Sequence, residues 1–372
     1  MNHYRQSPHY GIILASLLLS MALLLMLPIS TFATDDGNDV DLKKTIIAAR
    51  GGARGALANS LPALVLAAGT EVEYISFDIV ATRDHQLIVH HTLDLGPSTD
   101  VAEKFPEHAR DDGRFLSTDF TLDEIRLLRK KDTSDFSAPT NISAGIATFA
   151  EYLALAKYLE KHFSKQIGLA PNLIHPGYHR NEGIDISSLC LNLLNKFGYN
   201  KVNTGLLLQS MDADELQRIS KELLPRLNFT IPLIQQIGSQ SATTETDKEP
   251  LQDYDQAWMF TRLGARMISS YGSGIIMDSS LLHDPTGAPL NTEFLDDIRA
   301  LAIPVYGYVH DITEPLPTFA EDLAALYDFY LTTLNLDGVS TSAYKEFSLH
   351  QKQKEEANRR HKLPIFPLKP LP

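Results

Sequence analysis

Hydrophobic and polar positions alternate in short blocks from residue 45 to residue 341. Apolar runs rich in β-branched residues are followed by longer segments in which apolar residues recur at helical spacing, which predicts alternating strands and helices. The predicted strands are residues 45–50, 74–82, 87–91, 166–174, 206–209, 231–235, 274–278, 304–309 and 338–341. The predicted helices include residues 59–68, 148–163, 185–197, 212–223 and 293–302.

This alternation predicts an α/β fold with a parallel sheet. Eight strand–helix units would close into a TIM (β/α)8 barrel, so one of the nine runs is expected to be an extra strand, and a doubly wound open sheet is the alternative. The short segment around Asp84-His85-Gln86 between the second and third runs leaves no room for a helix, which predicts a hairpin. The polar residues 96–145 follow the third strand and are predicted to form a small cap over the active-site end.

The two ends of the chain differ from the middle. Residues 11–27 are almost wholly apolar and Thr31-Phe32-Ala33 follows, so residues 1–33 are predicted to be a signal peptide and residues 34–44 a linker. An uncleaved anchor is the alternative, because 17 residues lie at the lower limit of a membrane span. We therefore expect an exported protein, periplasmic or secreted, with a barrel at residues 45–348 and a charged, then proline-rich tail at residues 349–372.

Composition narrows the functional classes. The 372 residues include 33 Lys and Arg against 46 Asp and Glu, and the net charge of −13 argues against a nucleic-acid partner. The single cysteine, Cys190, excludes an intrachain disulfide and a thiolate metal site. Contact with a membrane is expected only through the N-terminal segment, if it stays uncleaved.

Polar residues at the ends of predicted strands are the candidates for chemistry, because a barrel carries its active site there. Arg50 could grip a phosphate, Asp78 could hold a cation and His91 could act as a general acid or base. Each of them alone also fits a structural role. Other polar groups at these ends are His90, Asn172, His175, Gln209 and Asp278.

The segment 100–128 (DVAEKFPEHARDDGRFLSTDFTLDEIRLL) resembles, almost throughout, the insertion of the periplasmic bacterial type of glycerophosphodiester phosphodiesterase. Residues 209–219, 258–260 and 338–342 match the same family in place, and the resemblance covers residues 45–348. It implies a TIM barrel with a cap. It also implies hydrolysis of glycerophosphodiesters to glycerol 3-phosphate and an alcohol, with Ca²⁺ or Mg²⁺ as cofactor.

The resemblance also identifies substitutions at the family's functional positions. Arg50, Asp78 and His91 are retained. Ala49 stands at the position of the family's first catalytic histidine, and Ala58, Ser76 and Asn172 stand at the positions of three metal-binding carboxylates. Thr92 replaces the aspartate after the second histidine, and Ile174 replaces a phosphate-binding lysine. One lost proton-transfer group alone lowers a rate by about 10²–10⁴.

These substitutions predict a catalytically degenerate member, a pseudoenzyme that needs no metal cofactor. Its expected partners are a glycerophosphodiester, a phospholipid headgroup or a protein. Two alternatives stay open. The chain is an active phosphodiesterase that uses relocated groups such as His90, His175, His179 or Asp278, or it is an interaction protein that acts through its tail, Gln351–Pro372.

Overall fold

The computed structural model of this chain describes residues 44–51, 56–131, 144–200, 204–238, 254–309 and 316–362, with side chains up to residue 357. The predicted signal peptide, residues 34–43 of the linker and the proline-rich end of the tail lie outside these residues, as do parts of the cap and of other loops. Within the described ranges, no helix is long and apolar enough to cross a membrane.

Nine strands are present, one for each predicted run. They are β1 (Thr45–Ala48), β2 (Tyr74–Ala81), β3 (Leu87–Val89), β4 (Gly168–Leu173), β5 (Leu208–Ser210), β6 (Leu233–Ile237), β7 (Gly274–Asp278), β8 (Val305–Val309) and β9 (Gly338–Thr341). Eight of them pair in parallel in the order β1-β2-β4-β5-β6-β7-β8-β9, and β9 pairs with β1 to close the barrel. The predicted TIM barrel is therefore confirmed and the open sheet is excluded. The extra strand is β3, which pairs antiparallel with β2 as the predicted hairpin.

Helices cover the outside of the barrel. They are α1 (Leu61–Ala68), α2 (Val101–Lys104), α3 (Leu122–Ile125), α4 (Phe149–Phe163), α5 (Pro176–Asn181), α6 (Ile186–Lys196), α7 (Ala213–Arg218), α8 (Leu224–Leu227), α9 (Arg262–Ser269), α10 (Ser279–Leu282), α11 (Thr292–Ala300), α12 (Leu323–Asp328) and α13 (Tyr344–Lys362). Ser60 caps α1 through a bond to Ala63 N, and Thr148 with Glu151 forms a capping box on α4. Because these caps satisfy amides that no helical carbonyl can reach, they fix where the helices begin.

Alternation along β2 divides its side chains between two environments. Phe77 and Ile79 pack in the large core between strands and helices, so Ser76 and Asp78 face the barrel interior. The register of β2 on β4 places Asp78 beside Asn172. A smaller apolar cluster fills the interior below them and consists of Ile47, Ala170, Leu207, Ile234, Ile276 and Tyr306. The barrel therefore has a packed floor and a polar mouth.

The cap has its own apolar core, which its polar sequence conceals. Leu93, Leu95, Val101, Phe115, Leu116, Phe120, Ile125 and Leu128 pack together there. Val80 and Ile88 of the β2–β3 hairpin belong to the same cluster. Arg110 ties the cap to α5, because its guanidinium donates to both carboxylate oxygens of Asp119 at 2.7 Å and to the Tyr178 hydroxyl at 2.8 Å. The cap is thus rooted on the hairpin and held against the barrel.

Candidate ligand site at the barrel mouth

Asp78 is the centre of the mouth, and its buried carboxylate is surrounded by donors. Oδ2 accepts from Asn59 Nδ2 at 2.9 Å and from His91 Nδ1 at 3.0 Å, and Oδ1 accepts from Asn172 Nδ2 at 2.9 Å. Burial raises the pKa of Asp78, but the hydrogen bond from His91, followed by the charge of Arg50 and the hydrogen bond from Asn172, outweighs burial and lowers the pKa to about 2. Asp78 is therefore held as a carboxylate whose two oxygens both face N–H groups.

Local backbone geometry brings these donors together. Asn59 has a left-handed φ of 55°, which asparagine tolerates better than most residues, and its Oδ1 accepts from Asp78 N at 2.9 Å. Asn59 and Asp78 are thus joined by two hydrogen bonds. Asn172 reaches Asp78 because the two are register partners on neighbouring strands, and His91 is the second residue after β3.

Arg50 and His91 form the accessible side of the mouth. Arg50 Nη2 lies 2.7 Å from His91 Nε2, and Arg50 Nε lies 3.9 Å from Asp78 Oδ2. A guanidinium has no acceptor, so Nη2 donates to Nε2, and the Nδ1 proton of His91 is donated to Asp78. Arg50 adopts a left-handed φ of 51°, a strained conformation for a long side chain. Its side chain is 34% exposed, so the cation stays within reach of solvent.

The substituted positions supply no carboxylate here. Ala49 is buried at the end of β1, Ala58 is half-buried in the loop before α1, and Ser76 is buried one inward position below Asp78. The Thr92 hydroxyl donates to Asp94 O at 2.7 Å. Ile174 packs against the apolar cluster of the cap. The structure thus brings together the three retained residues, with Asn172 as the only substituted side chain that bonds to them in the described residues.

These residues do not fit the divalent cation of the family. A hard cation needs the lone pairs of several oxygens, and those of Asp78 face N–H donors from three side chains. Across the described ranges there is also no group of three or more His, Cys, Asp or Glu side chains that could hold a metal. The donor set around Asp78 is that of a hydrogen-bonded anion.

Lys130 of the cap also reaches this region, and no pattern in the sequence indicates it. Its side chain is buried, and Nζ donates to the carbonyls of Ala58 at 3.1 Å, Asn59 at 2.6 Å and Val89 at 3.4 Å. Burial lowers the pKa of Lys130 to about 7, and the charge of Asp78 opposes that shift. Lys130 stands in a run of three basic residues, and only its bridge to Thr99 in the folded cap distinguishes it from its neighbours.

Two of the histidines proposed as relocated groups are committed to the fold. His90 is buried, donates from Nδ1 to Thr92 O at 2.8 Å and bonds through Nε2 to the Ser98 hydroxyl at 2.9 Å. Burial, followed by the charge of Lys130, lowers the pKa of His90 to about 3. His179 accepts from Ala81 N at 2.9 Å and donates to His175 O at 3.0 Å. In both rings, each of the two nitrogens makes a hydrogen bond within the fold.

The other two relocated candidates differ from each other. Asp278 is the N-cap of α10, and its Oδ1 accepts from the backbone and hydroxyl of Ser280 at 2.9 Å and 2.7 Å. His175 has a left-handed φ of 44° and stacks on Tyr254 with ring centroids 5.9 Å apart. Burial, followed by the charges of His179 and His91, lowers the pKa of His175 to about 4. His175 is therefore a neutral ring at the edge of the mouth.

Of the tail, only the helical part is described. Residues 351–360 lie within α13, and the Gln351 side chain donates to Lys44 O at 3.2 Å. The proline-rich residues 363–372 lie outside the described residues.

Solved structures similar to this chain share its fold. A putative glycerophosphoryl diester phosphodiesterase from Silicibacter pomeroyi aligns with a TM-score of 0.57 at 16% identity and covers 84% of this chain and 94% of its own. An Oleispira antarctica phosphodiesterase, solved in complex with the product sn-glycerol-3-phosphate, aligns with a TM-score of 0.53 at 18% identity and covers 84% and 96%.

Sequence comparisons identify the family. The glycerophosphodiester phosphodiesterase of Treponema pallidum is 32% identical over 305 residues, which cover 77% of this chain and 85% of the relative. The enzyme of that name from Haemophilus influenzae is 31% identical over 320 residues, covering 80% and 87%. The family model described as glycerophosphoryl diester phosphodiesterase matches residues 50–341. The chain therefore belongs to the glycerophosphoryl diester phosphodiesterase family.

Proposed function

We propose that this family member binds a phosphate-bearing ligand at the barrel mouth and does not hydrolyse it. The observation that carries the proposal is the bonding of Asp78, whose two oxygens accept from Asn59, His91 and Asn172. With those bonds in place, the carboxylate is not available to a catalytic metal. The first proton-transfer group of the family is absent as well, because Ala49 stands at its position.

The retained Arg50 supports ligand binding. A planar guanidinium donates two parallel hydrogen bonds to phosphate oxygens, and Arg50 lies half-exposed at the mouth. Its bond to His91 Nε2 holds the guanidinium in place. A phosphate would compete with the imidazole for Arg50 and would release Nε2 as an acceptor for a ligand hydroxyl. The ligand class that matches this pair is a phosphate ester with a neighbouring hydroxyl, such as a glycerophosphodiester or a phospholipid headgroup.

Binding and hydrolysis can be measured separately on the purified chain. With glycerophosphocholine or glycerophosphoethanolamine and added Ca²⁺ or Mg²⁺, we expect calorimetry to detect binding and coupled assays to detect no release of glycerol 3-phosphate. Arg50→Ala should weaken binding, whereas Arg226→Ala, at an exposed arginine of α8, should not. Turnover at a typical enzyme rate of about 10 per second, abolished by His91→Ala, would overturn the proposal.

An active hydrolase is the alternative, and His175 is the observation in its favour. Its strained backbone and its position near His91 are typical of functional residues. His175→Asn keeps a residue that tolerates a left-handed φ. Loss of measured turnover in this variant, with binding retained, would favour relocated chemistry.

Export and the role of the tail also belong to this proposal. Export rests on the apolar residues 11–27 and the small residues before Thr34. Mass spectrometry of the protein isolated from the periplasm or medium should find Thr34 at the N-terminus, and an intact N-terminus in the membrane fraction would favour an anchor.

Removal of residues 363–372 should leave ligand binding unchanged; a loss would favour the tail as the functional segment.

A further inference from the structure

Lys130 is the one buried lysine among the described residues, and it reaches the mouth from the cap. It lies next to the bridge with Thr99, and its ammonium enters the space between the loop before α1 and the end of β3. Its three acceptors are the carbonyls of Ala58, Asn59 and Val89. An ammonium has three N–H groups and a neutral amine has two, so only the protonated form gives each carbonyl a donor.

Asn59 connects this ammonium to Asp78. Its carbonyl accepts from Lys130 at 2.6 Å, while its side chain exchanges two hydrogen bonds with Asp78. Ala58, at a position where the family keeps a metal-binding glutamate, also gives its carbonyl to Lys130. The cationic nitrogen therefore lies behind the loop from which the family binds its metal.

The net charge around the mouth favours the binding of an anion. The charged groups are Arg50, Lys130 and Asp78, two cations against one anion. The neighbouring His90 is neutral because of burial, and His91 bridges Arg50 and Asp78. A Lys130 charge buried in a medium of low dielectric acts over a longer distance than one in water. With Lys130 protonated, the mouth is therefore positive without any bound metal.

We propose that Lys130 supplies the fixed positive charge that the family obtains from a divalent cation, so that the mouth binds a phosphate-bearing ligand without metal. This inference rests on the proposed function of the mouth as a ligand site. Lys130 acts through Asn59 and through its field, without touching the ligand, and is a positioning residue.

The first arm of the test measures metal dependence on the full chain. Calorimetric titration with sn-glycerol 3-phosphate, at about pH 6 to keep the amine protonated, should give the same affinity in EDTA, in Ca²⁺ and in Mg²⁺. Titration with Ca²⁺ or Mg²⁺ alone should give no heat of binding and no increase in melting temperature.

The second arm removes the charge. Lys130→Gln keeps two N–H donors for the carbonyls, and Lys130→Met removes the donors as well. Both should bind sn-glycerol 3-phosphate about tenfold more weakly, which is the size of effect expected for one unit charge several ångströms away. Lys131→Gln is the matched control, because Lys131 is exposed and pairs with Glu103 at 3.0 Å. Affinity in Lys130→Gln should also fall less steeply with added salt, which a purely structural change would not produce.

The outcomes separate this inference from the proposed function. If the wild type binds only with Ca²⁺ or Mg²⁺, or if folded Lys130→Gln binds as tightly as Lys131→Gln, the inference fails and the ligand site survives. If the wild type binds no phosphate ester under any condition, the proposed function fails and the inference falls with it. Binding in EDTA that weakens in the Lys130 variants and not in Lys131→Gln supports both the proposed function and this inference.

Discussion

At the scale of single residues, hydrogen bonds from three side chains hold the Asp78 carboxylate at the mouth. Asn59 and Asn172 point their amide N–H groups at Asp78, and both amides have their orientation set by the carboxylate, which can only accept. Both side chains therefore stabilise the negative charge of Asp78 in its buried position.

Removal of that negative charge should destabilise the protein. Asp78→Asn would turn an amide nitrogen or a single oxygen toward three N–H donors and leave at least one of them unpaired in a buried site. We expect a loss of about 2–4 kcal/mol in the free energy of unfolding, measured by urea denaturation. Glu71→Gln, at an exposed carboxylate, is the control and should change the free energy by less than about 0.5 kcal/mol. Equal stability of Asp78→Asn and wild type would contradict the network.

Part of the mouth follows from strand positions. Arg50, Asp78 and His91 are expected there because they lie toward the ends of predicted strands, and the structure brings them within hydrogen-bond or ion-pair distance. Lys130 could not be found this way. Its burial depends on the fold of the cap, which no periodicity in that polar segment reveals. The role of Asn59 depends on a left-handed backbone that the sequence shows only as a polar residue before a helix.

At the scale of elements, the β2–β3 hairpin joins two cores. Ile79 of β2 packs with the helices of the barrel, while Val80 and Ile88 pack in the cap. One strand therefore contributes to both cores, and disruption of the cap core should lower the stability of the whole fold.

The cap core can be tested with two leucines. Leu116 is fully buried in the cap, and Leu127 is 58% exposed nearby in sequence. Leu116→Ala should lower the free energy of unfolding by about 2–5 kcal/mol because it leaves a cavity. Leu127→Ala should have little effect. A single urea transition for both variants is expected, and a separate early transition in Leu116→Ala would mean that the cap unfolds independently.

A second element-level contact holds α7 to its neighbours. Glu215 of α7 is buried, and its carboxylate lies 2.7 Å from Arg180 Nη2 and 2.6 Å from Arg218 Nη2. Glu215→Ala would leave both guanidinium groups without this partner and should cost about 2–4 kcal/mol of unfolding free energy, measured by urea denaturation. The control is Glu222→Ala, a few residues further along the chain at an exposed position. Similar stabilities of the two variants would show that the buried carboxylate does not anchor α7.

At the scale of the whole molecule, the barrel was predictable because its signals are local and repeated. Each strand is a short apolar run and each main helix has a cap, so the order of elements follows from periodicity. Ring closure between β1 and β9 joins residues nearly 300 positions apart, and only the count of eight parallel strands indicated it. The antiparallel β3 was distinguishable because the five residues between β2 and β3 are too few for a crossover helix.

Buried histidines should make the whole protein sensitive to acid. Burial lowers the pKa of His90 to about 3 and the pKa values of His175 and His179 to about 4, from an ordinary value of 6.5. Below that value the unfolded chain binds more protons than the folded one, so stability falls as the pH drops from 6.5 toward 4. Asp78 extends the loss to lower pH, because its folded pKa of about 2 lies below the ordinary 3.8.

Urea denaturation at a series of pH values would measure this loss. In a His179→Gln variant, the slope of unfolding free energy against pH should be shallower, since one fewer proton is taken up on unfolding. A flat profile between pH 6.5 and about pH 4.5 in the wild type would contradict the neutral state of these rings.

The hydrogen bonds of Asp78 also limit which substitutions the mouth can accept one at a time. Asn172→Glu alone would set a second carboxylate against Asp78 and remove an N–H donor, and Ala58→Glu alone would likewise add a second negative group near the mouth. Each of these single changes is therefore expected to destabilise the mouth unless compensating changes accompany it. Substitutions at separate surface positions can be accepted one at a time, whereas substitutions at the mouth are coupled through the hydrogen bonds of Asp78.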